Sequence, residues 1–215
     1  MTVIGTDLSS VQPVHKLPNF TYLVHNAEGD WDFTSDFDYI HARMLTMGMH
    51  DWPRFFRQCW DNLSPGGWLE TGDGRFPLEH VEDLTTDRSP FLKWSTLASE
   101  AAAKAGIDTR ASEKFSDMLT AQGFVNVESI DVLWPVGPWA KGEKNKAIGT
   151  LSYQNSRKVI PAVAMALFTN VLGWTKEQVH QLDRQCLEEI DRGDHHHYCR
   201  MYVGLVIRVS KMAAG

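Results

Sequence analysis

The stretch that most constrains this chain is T-V-I-G-T-D-L at residues 2–8, a short β-branched run that closes on Gly5, Thr6 and Asp7. It reads as a β-strand with a carboxylate at its end. In α/β sheets that bind nucleotides, an acid at that place accepts hydrogen bonds from ribose hydroxyls. It lies about 20 residues after a glycine-rich turn that opens the first helix. Only six residues precede Asp7, and they contain neither G-x-G-x-x-G nor G-x-G-x-G. The expectation is an α/β fold built on an incomplete Rossmann-like sheet, without its first strand and glycine loop. A sheet that loses a central strand should split, because both neighbours then expose unpaired backbone. A second chain, most simply in a two-fold dimer, is expected to cover the gap beside Val3–Asp7.

Charge and cysteine content narrow the partners. The formal net charge of −6 argues against nucleic acid, whose binders carry a basic face. Three cysteines, Cys59, Cys186 and Cys199, are odd in number and form no C-x-x-C, which suits a reducing compartment, cytoplasmic or nuclear. No apolar run approaches the ~18 residues of a membrane span. Eight Trp and ten Phe suit either an apolar small-molecule pocket or ordinary core packing.

Along the chain, strands are expected at residues 3–7, 20–24 and 37–44, with a turn-rich connector over 11–18. Asp51-Trp52-Pro53 opens a helix with Phe55, Phe56, Cys59, Trp60 and Leu63 on its buried face, and Ser64-Pro65-Gly66-Gly67 ends it. A strand over 68–72 follows, then helices over 90–105 and 112–122, and a strand over 125–134. Residues 147–172 read as helical with a break at Pro161. Thr175 and Gln178 form a capping-box signal for the next helix, with Val179, Leu182, Cys186 and Ile190 as its buried stripe and Glu188, Glu189 and Asp191 on its solvated face. The last strand covers 198–210. Alternating strands and helices predict a mostly parallel sheet with helices on both faces. Residues 1–134 and 198–215 form that α/β domain, and 135–197 form a helical lid inserted before the last strand.

Four segments resemble one family. V-I-G-T-D-L-S-S-V-Q-P is similar to a ribose-binding strand end followed by D-L-S-P-x-Q-P. N-F-T-Y-L-V-H-N-A-E-G-D-W-D-F resembles a third strand with the loop beside adenine. The run from F-D-Y-I-H-A-R-M through D-W-P-R-F-F-R-Q-C-W-D-N-L-S-P-G-G-W-L-E resembles the fourth strand, its helix and an L-K-P-G-G-W-x-E turn. L-G-W-T-K-E-Q-V resembles L-G-W-S-x-E-E-V in the lid. The family is the class I S-adenosylmethionine-dependent methyltransferases, specifically their fungal LaeA-like group. The resemblance implies a seven-stranded sheet with a reversed final hairpin and S-adenosylmethionine bound across the strand ends. Its cofactor positions here are Asp7 and Leu8 for ribose and Asn26 and Ala27 beside adenine. His41, Ala42 and Arg43 lie under the methionine end. His25-Asn26 stands where the family commonly has an acid, and the glycine motif is absent.

Each candidate side chain carries two readings. Asp7 is a ribose ligand or a turn cap. His41 is a general base or a satisfied core histidine, and Arg43 suits an acidic or enolate oxygen. Among His195, His196 and His197, alternate residues share a face, but no third ligand stands at useful spacing, so no metal is expected. They are an exposed lead-in to the strand or imidazoles facing ligand. Trp134, Trp139 and Trp174 pack the lid or wall an apolar pocket. The crevice between strand ends and lid should receive His41, Arg43, Asp73 and one histidine of the 195–197 run, with His196 as proton carrier. The expected function is methyl transfer in fungal secondary metabolism, with a partner or further segment completing the sheet. The alternatives are a cofactor-independent cyclisation, isomerisation or pericyclic step on a natural-product intermediate, and a non-catalytic partner subunit.

Overall fold

A computed structural model describes residues 2–10, 17–33, 36–82 and 84–208, so most of the connector at 11–18 lies outside the described residues. Among the described residues, seven strands fall into two separate sheets. β1 (Val3–Asp7) and β2 (Phe20–Val24) form a parallel pair by themselves. β3 (Phe37–Arg43) pairs in parallel with β4 (Leu63–Gly74). The long last strand β7 (His197–Ile207) runs antiparallel to β4, to β6 (Val125–Pro135) and to the two-residue β5 (Glu79–His80). The β1–β2 pair is not hydrogen-bonded to the larger sheet, which is mixed rather than mostly parallel.

α1 (Trp52–Asn62) forms as its sequence dictates. The Asp51 carboxylate accepts the Arg54 N–H, proline stands in the first turn, and Phe55, Phe56, Cys59 and Trp60 are all buried. The 3-10 turn at Ala111–Lys114 leads into α3 (Phe115–Gln122), which ends on Gly123 in the left-handed conformation (φ 106°). α1 and α3 cover one face of the larger sheet. Phe115 packs between Trp52 and Phe56, with ring centroids 4.3 and 5.1 Å away, above Leu69, Tyr202 and Val206. Each such buried aromatic contributes about 1.5–3 kcal/mol. Among the described residues, helices reach the other face only at the start of the last strand, where Cys199 joins a second core. Opposite α1, Tyr39, Trp68 and Ile130 stand 50%, 40% and 63% exposed.

A second core joins α2 (Pro90–Lys104), α4 (Glu143–Asn170) and α5 (Lys176–Arg192). α4 and α5 are the insertion between β6 and β7, but α2, which precedes β6, belongs to the same bundle. α4 starts one turn earlier than expected and runs unbroken through Pro161. Proline removes one backbone donor there, and burial of Ile160, Ala164 and Phe168 around it offsets the loss. α5 has the full capping box at Thr175 and Gln178. β4 begins at Leu63 because the Ser64–Gly67 turn is accommodated as a bulge: Phe37 pairs with Leu63 and Tyr39 with Trp68. Glu189 is not on a solvated face. It is 2% exposed, accepts from Ser89 Oγ (2.7 Å) and the Phe91 N–H (2.8 Å), and meets His197 Nε2 at 2.9 Å. Helical periodicity places it one turn after Cys186 and two after Leu182, so it follows the buried stripe.

Candidate functional site

Where the two sheets face each other lies a cleft of about 650 Å³. Its walls are β1, the strand ends of β2 and β3, and the loops that follow them. Asp7, Leu8, Asn26, Ala27, His41, Ala42 and Arg43 all line it. Carboxyl ends of parallel strands gather here because β1–β2 and β3–β4 are each parallel.

Asp7 ends β1 with its Oδ1 accepting the Ser9 N–H at 2.8 Å. That hydrogen bond holds the carboxyl below the usual carboxylate range, so it is ionised and keeps acceptor capacity. The next wall is the loop 25–33, fastened to α1 from several directions. Gln58 accepts the Trp31 N–H (3.2 Å) and donates to the Ala27 carbonyl (3.2 Å), which also receives Trp31 Nε1 (3.0 Å). Glu28 accepts from the backbone N–H groups of His50 and Asp51 and sits 2.9 Å from His50 Nδ1. Burial pushes the Glu28 carboxyl up, yet the His50 and Asp51 donors outweigh it and its pKa is lowered. Asn26 Oδ1 is held by the Glu28 N–H at 3.0 Å. Trp31 and Phe33 bring an edge-on aromatic pair to the same wall, 5.7 Å apart.

The third wall is the end of β3. Met44 adopts φ 58°, rare for a side chain of its size, and its N–H still donates to Gly72 O at 2.9 Å. The chain thereby turns over the strand end, and Thr46 donates to Asp73 Oδ1 through both its N–H and its hydroxyl, each at 2.9 Å. Asp73 is wholly buried, and desolvation pushes its carboxyl up to about 6 despite the Thr46 donors. It does not reach the cleft as expected; it fastens the loop that does. Arg43 lies along the strand surface, its Cγ beside Gly72.

His41 has neighbours that the sequence did not reveal. Its Nδ1 is 3.6 Å from Glu70 Oε1 and 3.4 Å from the Tyr39 hydroxyl, which itself donates to Glu70 Oε2. Desolvation and Glu70 together push the Tyr39 hydroxyl up to about 12. Tyr39 is visible from sequence, two residues before His41 on the same strand face. Glu70 becomes a neighbour only through the β3–β4 register.

The remaining expected residues gather elsewhere. Strand order β3-β4-β7-β5 puts the start of β7 across the sheet from the cleft. His196 there bonds Glu82 through its backbone N–H and ring Nδ1, and its ring packs at a tilt of 59° against Trp139. Its two hydrogen bonds bring Glu82 down to about 2, against the upward pull of burial. His197 is 2% exposed, not part of an exposed lead-in, and its carbonyl accepts Trp139 Nε1. His195 meets His197 edge-on at 6.1 Å. Trp134 pairs with Cys199 across β6–β7, and Trp174 packs on Phe168 at 5.5 Å. None of these, nor Asp73, is among the residues lining the cleft. No helix among the described residues is long and apolar enough to cross a membrane.

Comparison with known proteins bears on this geometry. A methyltransferase domain family matches residues 1–129. The methyltransferase pytC of Aspergillus terreus is 33% identical over 195 residues, covering 90% of this chain and 60% of that protein. The probable methyltransferase tdiE of Emericella nidulans is 28% identical over 194 residues, 89% of this chain and 61% of that one. The secondary metabolism regulator laeA of Aspergillus fumigatus is more distant, at 23% over 205 residues, 94% of this chain and 54% of that protein. The chain thus spans between half and two thirds of the length of these relatives. Among solved structures, the YcgJ protein of Bacillus subtilis aligns over 98% of this chain and 83% of that one, with 14% identity and a TM-score of 0.48. From the matched family and the relatives together, this chain belongs to the methyltransferase domain family, related to fungal secondary-metabolism methyltransferases and laeA regulators.

Proposed function

We propose that the cleft between β1 and β3 holds S-adenosylmethionine and that the protein methylates a small molecule of fungal secondary metabolism. The observation that carries this reading is that Asp7, Asn26, Ala27, His41 and Arg43 converge on one cleft at parallel strand ends. The donor set suits an adenosyl group: an ionised carboxylate for a ribose diol, and an aromatic-edged loop for a flat base. When bound, the cofactor supplies an electrophilic methyl group. The protein's part is alignment, because in-line displacement depends chiefly on holding the acceptor in reach. Arg43 suits an anionic acceptor oxygen, and His41, oriented by Glu70, suits removal of the acceptor proton.

The test is calorimetric titration with S-adenosylhomocysteine. Weak binding, in the micromolar range or above, is expected, because no glycine-rich turn among these residues approaches the ligand with backbone N–H groups. Asp7→Ala should weaken it by about tenfold or more, the loss of a charged hydrogen bond. Binding that ignores the Asp7 substitution would refute the site.

A further inference from the structure

We propose that the buried carboxyl of Asp73 is a proton-operated latch on the loop after β3: protonated, it keeps the loop down as the end wall of the cleft, and ionised, it lets the loop lift. The proposal concerns the loop itself and goes beyond the cofactor reading.

The loop is held under strain. Met44, Leu45, Gly48 and Met49 line the cleft, so their position sets the shape of its end beside Arg43. Both ends of the loop are fixed: Met44 N–H donates to Gly72 O at 2.9 Å, and Met49 is buried in the core beneath α1. Met44 itself sits at φ 58° with its side chain more than half exposed, a left-handed backbone that a long side chain rarely adopts and that stores strain. A 3-10 turn, Thr46–Gly48, follows, and Gly48 N–H donates back to Leu45 O. Asp73 holds this turn to the sheet. Thr46 gives its N–H and its hydroxyl to Asp73 Oδ1, both at 2.9 Å, and the Leu45 N–H adds to them.

The two oxygens of the latch are unequal. Oδ1 takes the donors, whereas Oδ2 is buried with no partner among the described groups. Part of an ionised carboxylate's charge would thus rest in a dry interior without a hydrogen bond, which costs more than the same oxygen in the neutral acid. Burial accordingly outweighs the Thr46 and Leu45 donors and pushes the carboxyl up to about 6. The ionisable groups that neighbouring elements bring to this side are engaged elsewhere. Tyr202, opposite Asp73 on β7, meets Ser116 Oγ at 3.2 Å. Arg75, two residues on, meets Asp131 of β6 at 2.7 Å and Glu113 of the turn before α3 at 3.8 Å. His50 and Asp51, ahead of α1, are taken up by Glu28 and the Arg54 N–H, and burial keeps the Cys59 thiol of α1 neutral.

Lifting the loop wets Asp73, whose carboxyl then returns to the ordinary aspartate value near 4. The closed loop therefore binds a proton more tightly than the open one, and closure is favoured as pH falls. Opening also relieves Met44, so strain and ionisation act in the same direction. By the same linkage, a ligand that rests on the closed wall draws in a proton as it binds near neutral pH.

Amide hydrogen exchange of the 215-residue protein without ligand tests the latch. Corrected for the pH dependence of exchange itself, protection at the Thr46 N–H should fall about tenfold between about pH 5 and about pH 7.5, the factor that a carboxyl moved from near 4 to about 6 gives. Dilute urea should leave Thr46 protection unchanged, the mark of a local opening, while speeding exchange at Leu69 in β4. Asp73→Asn should abolish the pH dependence. Thr46→Val, which removes one donor to the ionised form and keeps the N–H, should move the midpoint to higher pH. Equal falls in the parent and in Asp73→Asn would overturn the proposal. So would a midpoint that ignores Thr46→Val, or Thr46 protection that follows Leu69 in urea, since the loop would then open only with the whole fold. S-adenosylhomocysteine takes no part in these measurements, so a cleft that fails to bind it leaves the latch standing.

Discussion

The two ends of the larger sheet are finished to different degrees. At the β5–β7 end, α2, α4 and α5 close over the strands, and the capping hydroxyl of Ser89, the Phe91 N–H and His197 all converge on the Glu189 carboxylate. At the β3 end, the sheet stops at a strand edge, and the β1–β2 pair stands apart across the cleft. At the closed end, Ser89, Phe91 and His197 spend polar groups on Glu189. The other end leaves polar groups and apolar side chains facing open space. The lesson is that stability and binding are separated along this sheet: substitutions at the closed end should cost folding, and those at the open end should cost recognition.

The sharpest way to break that comparison is at Glu189. Glu189→Ala strands His197, Ser89 and the Phe91 N–H in a dry interior, where loss of one member of a buried ionic or hydrogen-bonded set costs about 3–5 kcal/mol. Urea denaturation should show that loss, and a variant within about 1 kcal/mol of the parent would mean that the closed end is not held by this cluster.

Asp73 tests the link between the two ends. Burial pushes its carboxyl up to about 6, above the ordinary aspartate value near 4, so the folded form binds more protons between those values. Stability from this group is therefore greatest below about pH 4 and falls as pH rises through about 6. Asp73→Asn keeps an oxygen for Thr46 and removes the titration. The parent should lose up to about 3 kcal/mol more than the variant between pH 4 and pH 7. Asp183, also pushed up to about 6 by burial, is common to both proteins and cancels in the comparison. Equal losses of stability in parent and variant between pH 4 and pH 7, read from urea denaturation, would place the Asp73 carboxyl in water.

Gly149 marks how tightly the insertion is pressed onto the sheet. A Cβ there would stand 1.9 Å from the Gly137 carbonyl oxygen, while the Gly137 N–H donates to the Gly149 carbonyl at 3.0 Å. Both obstacles are backbone, so Gly149→Ala must move α4 or the loop before it, at about 1–3 kcal/mol. A thermal melt unchanged by this substitution would show that the contact is loose.

What was legible in the sequence follows the range of the force that made it. α1 and α5 were readable because caps and three-to-four spacings are local: Asp51, Thr175 and Gln178 announce the starts, and Phe55, Phe56 and Cys59 the buried face. The strand that closes on Asp7 was readable from its β-branched run. Pro161 misled because its local cost is outweighed by burial from α2 and α5, which no local pattern reports. Glu189 misled in the same way, since its three partners come from Ser89, Phe91 and His197. The cleft residues Asp7, Asn26, Ala27, His41 and Arg43 came from strand ends, where topology alone brings them together. His196 and Asp73 did not join them, because β7 crosses the sheet to β5 and the Thr46 loop folds over Asp73.

A smaller effect should follow from Gln58, which ties the cleft loop to α1 through Trp31 N–H and Ala27 O. Gln58→Ala removes two part-buried hydrogen bonds, about 1–2 kcal/mol in total. The loss should fall on the loop rather than on the whole fold. Faster amide exchange at Trp31 with unchanged exchange in β4 and β7 is the expected pattern, and S-adenosylhomocysteine binding should weaken in step.

The smallest effect belongs at the open edge, and there the comparison is most exposed to failure. Ile4 is 37% exposed on a two-stranded sheet, with its backbone polar groups turned into the cleft. Ile4→Ser removes apolar surface that is already partly in water, so isolated protein should lose no more than about 0.5 kcal/mol. If Ile4→Ser destabilises the isolated protein as strongly as a core substitution does, the β1 edge is already covered in solution, and the open end is not open.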